Sequence, residues 1–252
     1  ASVENITKQI FLKRMTQSLN NTGKQIRFQF LSVLSHELKA PLNAIDGYLK
    51  MIKDRQFGNN IDAYDEMLDR SMERIKGMRQ LILDLLDLTK IETGKPTQKL
   101  EKVNIRKIVQ MSVDTIRPYA IQKDVDIYVN SREACDMKAD PGEIEIIMNN
   151  LISNAVKYNK VGGRVDIFIE KKESLLRITV SDTGIGLNKE DKEKLFEDFV
   201  RMKSFQTREV TGSGLGLSIV KKIVDMYQGS IDVQSEPGSG TSFIITLLEP
   251  ES

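Results

Sequence analysis

The chain has 252 residues, enough for one large domain or two modest ones. Its 37 basic and 36 acidic residues leave a formal net charge of +1, which argues against nucleic acid or an anionic membrane as the main partner. Cys135 is the single cysteine, so one chain can build neither a disulfide framework nor a cysteine metal cluster, and a reducing, cytoplasmic setting is expected. No apolar run reaches the length of a membrane span, and the N-terminus lacks a signal-peptide pattern. A start at Ala1, directly in a helical pattern, is what a fragment would show, with any sensor or membrane segment upstream.

From about Val3 to Ile91 the apolar pattern is helical almost throughout. Leu12, Leu19, Ile26 and Val33 recur every seven residues, with Met15 between them, which predicts a coiled-coil lead-in interrupted at Thr22-Gly23. The helix continues through Phe30, Leu34, Leu38, Leu42, Ile45 and Leu49. Gly58-Asn59-Asn60 marks a turn. A second helix follows, with Ile61, Leu68, Ile75 and Ile82 in one heptad position and Tyr64, Met78 and Leu85 in another. Two such helices make an antiparallel hairpin. Its core is too small alone, so pairing with a second copy into a four-helix bundle is expected. The alternative is that the stripe packs on the rest of its own chain.

Glu92-Thr93-Gly94-Lys95-Pro96 ends the second helix and reads as a linker. Beyond it, helices are predicted near 104–122, 142–158, 190–199 and 214–228, and strands near 124–130, 164–170, 175–181, 230–235 and 241–248. That alternation gives a layered α+β domain. The expected division is a lead-in over 1–24, the hairpin over 25–94 and the α+β domain over 95–252.

His36 is the only histidine, within Ser35-His36-Glu37-Leu38-Lys39-Ala40-Pro41-Leu42. A lone histidine on a helix is ordinarily a residue with no special role. At about 100° per residue, however, Phe30, Leu31, Leu34, Leu38, Leu42, Ile45 and Leu49 cluster on one side and His36 points almost directly away. It is therefore expected to be exposed, and without a partner His or Cys it is no metal site. Glu37, next to it, could accept from Nδ1–H, fixing the tautomer and leaving Nε2 as a nucleophile. Pro41 removes one helical hydrogen bond and favours a bend just beyond.

The second domain holds an independent signal. Asn150, Asn154, Lys157 and Tyr158 fall within about 100° of one another around one helix, while Ile144, Met148, Leu151, Ile152 and Ala155 take the other directions. Two amides one turn apart, followed by Lys and Tyr, suit a phosphate–metal site with an aromatic edge. Asp182-Thr183-Gly184-Ile185-Gly186 follows a strand, a pattern that lets backbone turn closely under a flat ligand. Thr211-Gly212-Ser213-Gly214-Leu215-Gly216-Leu217 opens a helix, where free N–H groups and the helix dipole favour an anion. There is no P-loop, no G-x-G-x-x-G, and no H-R-D or D-F-G.

These motifs, in this order, resemble those of the sensor histidine kinases of two-component systems, over about residues 25–248. Phe30–Leu42 resembles the family's H-box, Asn150–Tyr158 its N-box, Asp182–Gly186 its G1 box, Phe196-Glu197-Asp198-Phe199 its F-box and Gly212–Gly216 its G2 box. The resemblance implies a dimeric hairpin domain that accepts phosphate on His36, joined to an ATP-binding α/β sandwich of the type shared with gyrase and heat-shock chaperones. It implies that Asp182 bonds the adenine amino group, that Tyr158 packs on the ring, that Asn154 ligates Mg²⁺, and that Asn150 and Lys157 lie near the phosphates. Gly184, Gly186, Gly212, Gly214, Leu215 and Gly216 would form the binding turns. Val200–Val210 would be a lid, with Arg201 and Arg208 as phosphate candidates. Lys39 stands where many relatives have Arg, which keeps the charge and loses bidentate geometry.

The activity implied is attack of His36 Nε2 on the γ-phosphorus of Mg-ATP and transfer to a response-regulator aspartate. A partner-binding pseudokinase and a chaperone- or gyrase-like ATPase are the competing readings. The first would not need intact Asn154, Asp182 and glycines, and the second would not need a His-Glu pair on a hairpin. Relatives that act as phosphatases use a Thr or Asn one turn after the His. That place here is Ala40, so poor phosphatase activity is expected; the alternative is Asn43, two turns on, which shares the face and could substitute, with Pro41 affecting its direction.

Overall fold

The structure is a computed structural model that describes residues 35, 37–92, 98–131, 135–200 and 213–250. The architecture is α+β: a helical hairpin followed by a mixed α/β sandwich. The chain divides into two compact units, Ala1–Arg79 and Gln80–Ser252. The predicted lead-in, together with Leu12, Leu19, Ile26 and Val33, lies outside the described residues.

In the hairpin, helix α1 runs over 37–53 and α2 over Ile61–Glu92. The turn between them is fastened by one side chain: Tyr64 Oη accepts the Phe57 amide at 3.2 Å and donates to the Gly58 carbonyl at 3.0 Å. Phe57 and Tyr64 also stack edge to face, with centroids 6.1 Å apart. Asn60 then caps α2, accepting the Ala63 amide at 3.2 Å. The heptad stripe of α2 is uncovered in the single chain: Ile61, Leu68, Ile75 and Ile82 are all exposed, as are Leu42 and Leu49 on α1.

The second part is β1 (Glu101–Asn104), α3 (Ile105–Gln122), β2 (Val125–Ser131), β3 (Asp136–Ala139), α4 (Pro141–Lys157), β4 (Gly163–Lys172), β5 (Leu175–Asp182), α5 (Lys189–Glu193), α6 (Gly216–Met226), β6 (Ser230–Glu236) and β7 (Gly240–Leu248). Five strands form one sheet in the order β2-β4-β5-β7-β6, parallel only between β2 and β4. β1 and β3 make a separate antiparallel pair. Helices α3, α4 and α6 cover one face of the large sheet.

The elements follow from local chemistry. Asn104 caps α3 through the Lys107 amide, and Asp140 caps α4 through the Gly142 amide, with Pro141 opening the helix. Along α4 the apolar residues recur at helical spacing, and Ile144, Ile147, Met148, Leu151 and Ile152 are completely buried. Each contributes about 1.5–3 kcal/mol. α4 packs on β4 and β5, whose inward residues Ile167, Ile169, Ile178 and Val180 are buried almost as completely.

The helix expected over 190–199 is shorter. α5 stops at Glu193, and the next bonds are tight three-residue turns, Leu195 N–H to the Lys192 carbonyl and Glu197 N–H to the Lys194 carbonyl. Leu195 is buried by this turn, and Phe199 adopts a left-handed φ of 62° that ends any helical continuation. The β1–β3 pair was not expected.

Candidate active site

β5 ends on Asp182. Its Oδ1 accepts the Gly184 amide at 2.8 Å and the Thr241 amide, from the start of β7, at 3.2 Å. Burial outweighs these two bonds and pushes the carboxyl up to about 6. With Oδ1 held on the backbone, Oδ2 is the oxygen left for a ligand.

The turn after Asp182 runs tightly against the end of α4. A Cβ on Gly184 would collide with the Tyr158 carbonyl oxygen, so the approach requires glycine. That carbonyl accepts the Ile185 amide at 3.1 Å. Gly186 backs in turn onto the Glu236 carbonyl. Tyr158 is the C-cap of α4, and the Lys157 ammonium lies 5.3 Å from its ring centroid, a cation–π contact. The last carbonyls of α4 are themselves held: Lys123 Nζ donates to those of Val156, at 3.1 Å, and Lys157. Burial lowers the pKa of Lys123. Asn154 is half-buried one turn before Tyr158, whose amide bonds to the Asn154 carbonyl at 2.9 Å.

Two turns back along α4, Asn150 gives Nδ2 to the Ile146 carbonyl at 2.9 Å and turns Oδ1 against Gly216, where a Cβ would strike it. Asn150 thus braces the start of α6, which carries no side-chain cap. Leu215 is fully buried, and its amide donates to Ser213 Oγ at 3.1 Å. Gly214 abuts the backbone of Phe199 and Val200. Asp198, in the same segment, pairs with Lys222 of α6 at 3.6 Å.

The structure therefore brings Asp182, Gly184, Gly186 and Tyr158 together at one end of α4. Asn150, Gly214, Leu215 and Gly216 meet about two turns away, on the order of 12 Å along the axis. Asn154 and Lys157 lie between. Glu37 is half-buried in α1. His36, Arg201, Arg208 and Gly212 lie outside the described residues.

Three residues at this site were not anticipated. Thr241 holds Asp182 from a different strand. Asn159, just past Tyr158, is only 5% exposed and makes several side-chain hydrogen bonds. Asp84, from the end of α2 that belongs to the second unit, is 6% exposed and accepts from Gln80 Nε2 at 2.8 Å and from Ser213 Oγ. Burial raises its pKa. Only for Asn159, adjoining the Lys-Tyr pair, did the local sequence offer a cue.

Comparison with known proteins agrees with this geometry. Residues 26–94 match the His Kinase A (phospho-acceptor) domain, and residues 139–251 match the histidine kinase-, DNA gyrase B-, and HSP90-like ATPase domain. The autoinducer 2 sensor kinase/phosphatase LuxQ of Vibrio harveyi is 32% identical over 232 residues, covering 88% of this chain and 26% of its own length. The chain thus spans about a quarter of the curated relatives it matches. Among solved structures, the Acinetobacter baumannii histidine kinase AdeS superposes with a TM-score of 0.68 at 22% identity, over 86% of this chain and 98% of that one. The histidine kinase ThkA, in complex with response regulator protein TrrA, gives 0.68 at 20% identity, over 88% of this chain and 61% of that one. Hairpin, sandwich and both domain matches lead to one conclusion: the chain belongs to the histidine kinases of two-component systems and is the catalytic region of such a kinase, with a phospho-acceptor domain followed by an ATP-binding domain.

Proposed function

We propose that this region uses ATP to phosphorylate itself on His36 and passes the phosphoryl group to an aspartate of a response regulator. The observation that carries the reading is the pair of sites packed against the two ends of the Asn150–Tyr158 stretch of α4. A half-buried carboxylate at the end of β5, suited to a base amino group, lies about two turns of α4 from the N-terminus of α6, which has no side-chain cap and is suited to phosphate.

In this reading Asp182 Oδ2 accepts from the adenine amino group and Tyr158 packs on the ring. Gly184 and Gly186 let the backbone pass under the base, and Gly212, Gly214 and Gly216 present amides to the phosphates, while Leu215, buried and with its amide on Ser213 Oγ, anchors the turn that carries them. Asn150 holds α6 in place for that purpose, while Lys157 and Arg201 offset phosphate charge. Glu37 orients His36 through Nδ1–H. His36 Nε2 attacks the γ-phosphorus in line, the bond to the β-phosphate oxygen breaks, and Glu37 accepts the Nδ1 proton.

The donor set fits Mg²⁺. Among the described residues no cluster of three His, Cys, Asp or Glu could cage a metal. Asn154, between the two ends, offers one hard amide oxygen, as suits an ion that keeps most of its water and binds through phosphates. Bound there, Mg²⁺ would supply charge neutralisation on the transferring group.

The proposed domains are a helical lead-in over 1–24, a dimerisation and acceptor domain over 25–94 and a catalytic domain over 95–252. The uncovered stripe on α2 supports a homodimer, in which a second copy buries Ile61, Leu68 and Ile75. The ThkA–TrrA complex supports a response-regulator receiver domain as partner. A sensor segment belonging to a longer protein would act upstream, and dependence on ATP suits a cytoplasmic location. No described helix is long and apolar enough to cross a membrane.

The test is incubation with γ-labelled ATP. Acid-labile label on the native chain, lost in His36→Gln with ATP binding intact, is expected. Label released as free phosphate, or retained undiminished in His36→Gln, would overturn the reading.

A further inference from the structure

We propose that Asn159, acting through Thr183, is a positioning residue for adenine recognition: its amide clamps the turn after Asp182 to the end of α4 and so fixes where the carboxylate meets the base. The inference rests on the adenine-binding role of Asp182.

Every polar atom of the Asn159 side chain is used. Oδ1 accepts the Lys160 amide at 3.0 Å and the Thr183 hydroxyl at 3.2 Å, and Nδ2 donates to the Arg164 carbonyl at 3.0 Å. Thr183 completes the clamp from the other side. Its Oγ1 accepts the Arg164 amide at 2.9 Å, and its own amide donates to the Arg164 carbonyl at 3.1 Å. The peptide of Arg164 is thereby gripped at both ends, one residue before Val165, which stands opposite Asp182 in the β4–β5 register. On the helical side Tyr158, adjacent to Asn159, takes the Ile185 amide. Asp182 thus sits inside a closed ring of hydrogen bonds joining the end of α4, the first residues of β4 and the turn after β5.

Burial makes this choice of residue informative. A primary amide that is 5% exposed is expensive to desolvate unless each of its groups is paired. An aliphatic side chain would fill the space more cheaply but could not grip the turn. Gly163 is shaped to the same group, since a Cβ there would collide with Asn159 Oδ1. Neither Asn159 nor Thr183 is needed to touch the nucleotide.

The experiment compares Asn159→Ala, Thr183→Val and Thr183→Ser with Asp182→Asn, all in the full chain. ATP and GTP affinities come from calorimetry in a His36→Gln background. Autophosphorylation rates against ATP concentration come from chains that retain His36. A positioning role predicts that Asn159→Ala and Thr183→Val each weaken ATP binding about tenfold, about the weight of one good hydrogen bond. It predicts that they narrow the ATP:GTP ratio and raise KM more than they lower kcat. The Asn159→Ala/Thr183→Val double variant should be little worse than either single one, because the two act as one unit. Thr183→Ser, which keeps the hydroxyl, should restore native values. An unchanged ATP:GTP ratio in Thr183→Val, or additive losses in the double variant, would overturn the inference while Asp182→Asn still loses ATP. If Asp182→Asn binds ATP normally, the adenine reading fails and takes this inference with it. Should Asn159→Ala fail to fold, the Thr183 pair decides the matter alone.

Discussion

Replacing Asp182 by Asn should move stability and affinity in opposite directions. In the free protein, burial lifts this carboxyl from its ordinary 3.8 to about 6. At 1.36 kcal/mol per pH unit, that rise amounts to about 3 kcal/mol against the ionised folded state. An acid whose folded pKa exceeds its unfolded one takes up its proton more readily when folded. It therefore disfavours folding above pH 6, and the penalty fades as pH falls from 6 towards 4. Asn keeps an oxygen for the Gly184 and Thr241 amides and carries no charge. The variant should thus gain up to about 3 kcal/mol of stability near pH 7.5, by the same linkage. ATP binding should suffer, because an amide N–H₂ in place of the carboxylate faces the adenine amino group. Loss of that charged hydrogen bond is worth about 1.5–3 kcal/mol, or roughly 10- to 150-fold in Kd. For the native chain, ATP affinity should fall about tenfold per pH unit below 6, one proton being taken up. Chemical denaturation at pH 7.5 and 5, with calorimetry at both, gives all four numbers. A variant that binds ATP as tightly as the native chain, or a native affinity flat between pH 7.5 and 5, would refute the reasoning.

The α2 stripe and the residue after the acceptor motif give two more expectations. Ile75→Asp places a charge where a second copy should bury an isoleucine, a loss of at least about 1.5–3 kcal/mol per chain. Light scattering should then change from dimer to monomer, and a native chain that is monomeric at micromolar concentration would contradict the bundle. Ala40 is exposed on α1 and cannot hold a water. The native chain with ADP should therefore dephosphorylate its phospho-regulator slowly, and Ala40→Thr should speed this by at least about tenfold, the scale of one positioned polar group. Fast hydrolysis by the native chain, unchanged by the substitution, would show that Ala40 does not limit it.

Much of this architecture was legible because its signals are local. On α4 the packing residues Ile144, Met148, Leu151 and Ile152 and the lining residues Asn150, Asn154, Lys157 and Tyr158 sort onto different faces by spacing alone. β1 and β3 escaped notice because each has only four residues and they pair across the whole of α3 and β2. α5 was overextended because Lys189–Phe199 has a helix-forming composition; the tertiary burial of Leu195 decides where it ends. Asp84 reads as one more polar residue on an amphipathic helix. Its burial depends on Ser213, 129 residues later, which no local window contains. Thr241 carries no local signal for the same reason, and Asn159 has only its place beside Lys157-Tyr158 as a cue: the partners at 164, 182 and 183 become neighbours only when the sheet closes.

The bond from Thr241 N–H to Asp182 ties the strand that ends at the pocket to the one that starts there. β5 lies between β4 and β7, so the carboxylate can be held correctly only after the middle of the sheet has assembled from segments far apart in sequence. Opening the sheet anywhere near β7 would dismantle the proposed adenine contact. A ligand that binds only the assembled form raises its stability by RT ln(1 + [L]/Kd), about 2.7 kcal/mol at a hundredfold excess over Kd. The central strands would receive that protection together, so the transient openings that expose them to proteases would become about a hundredfold rarer. On the proposed function, the supply of nucleotide would then govern how long the domain survives as well as how fast it phosphorylates.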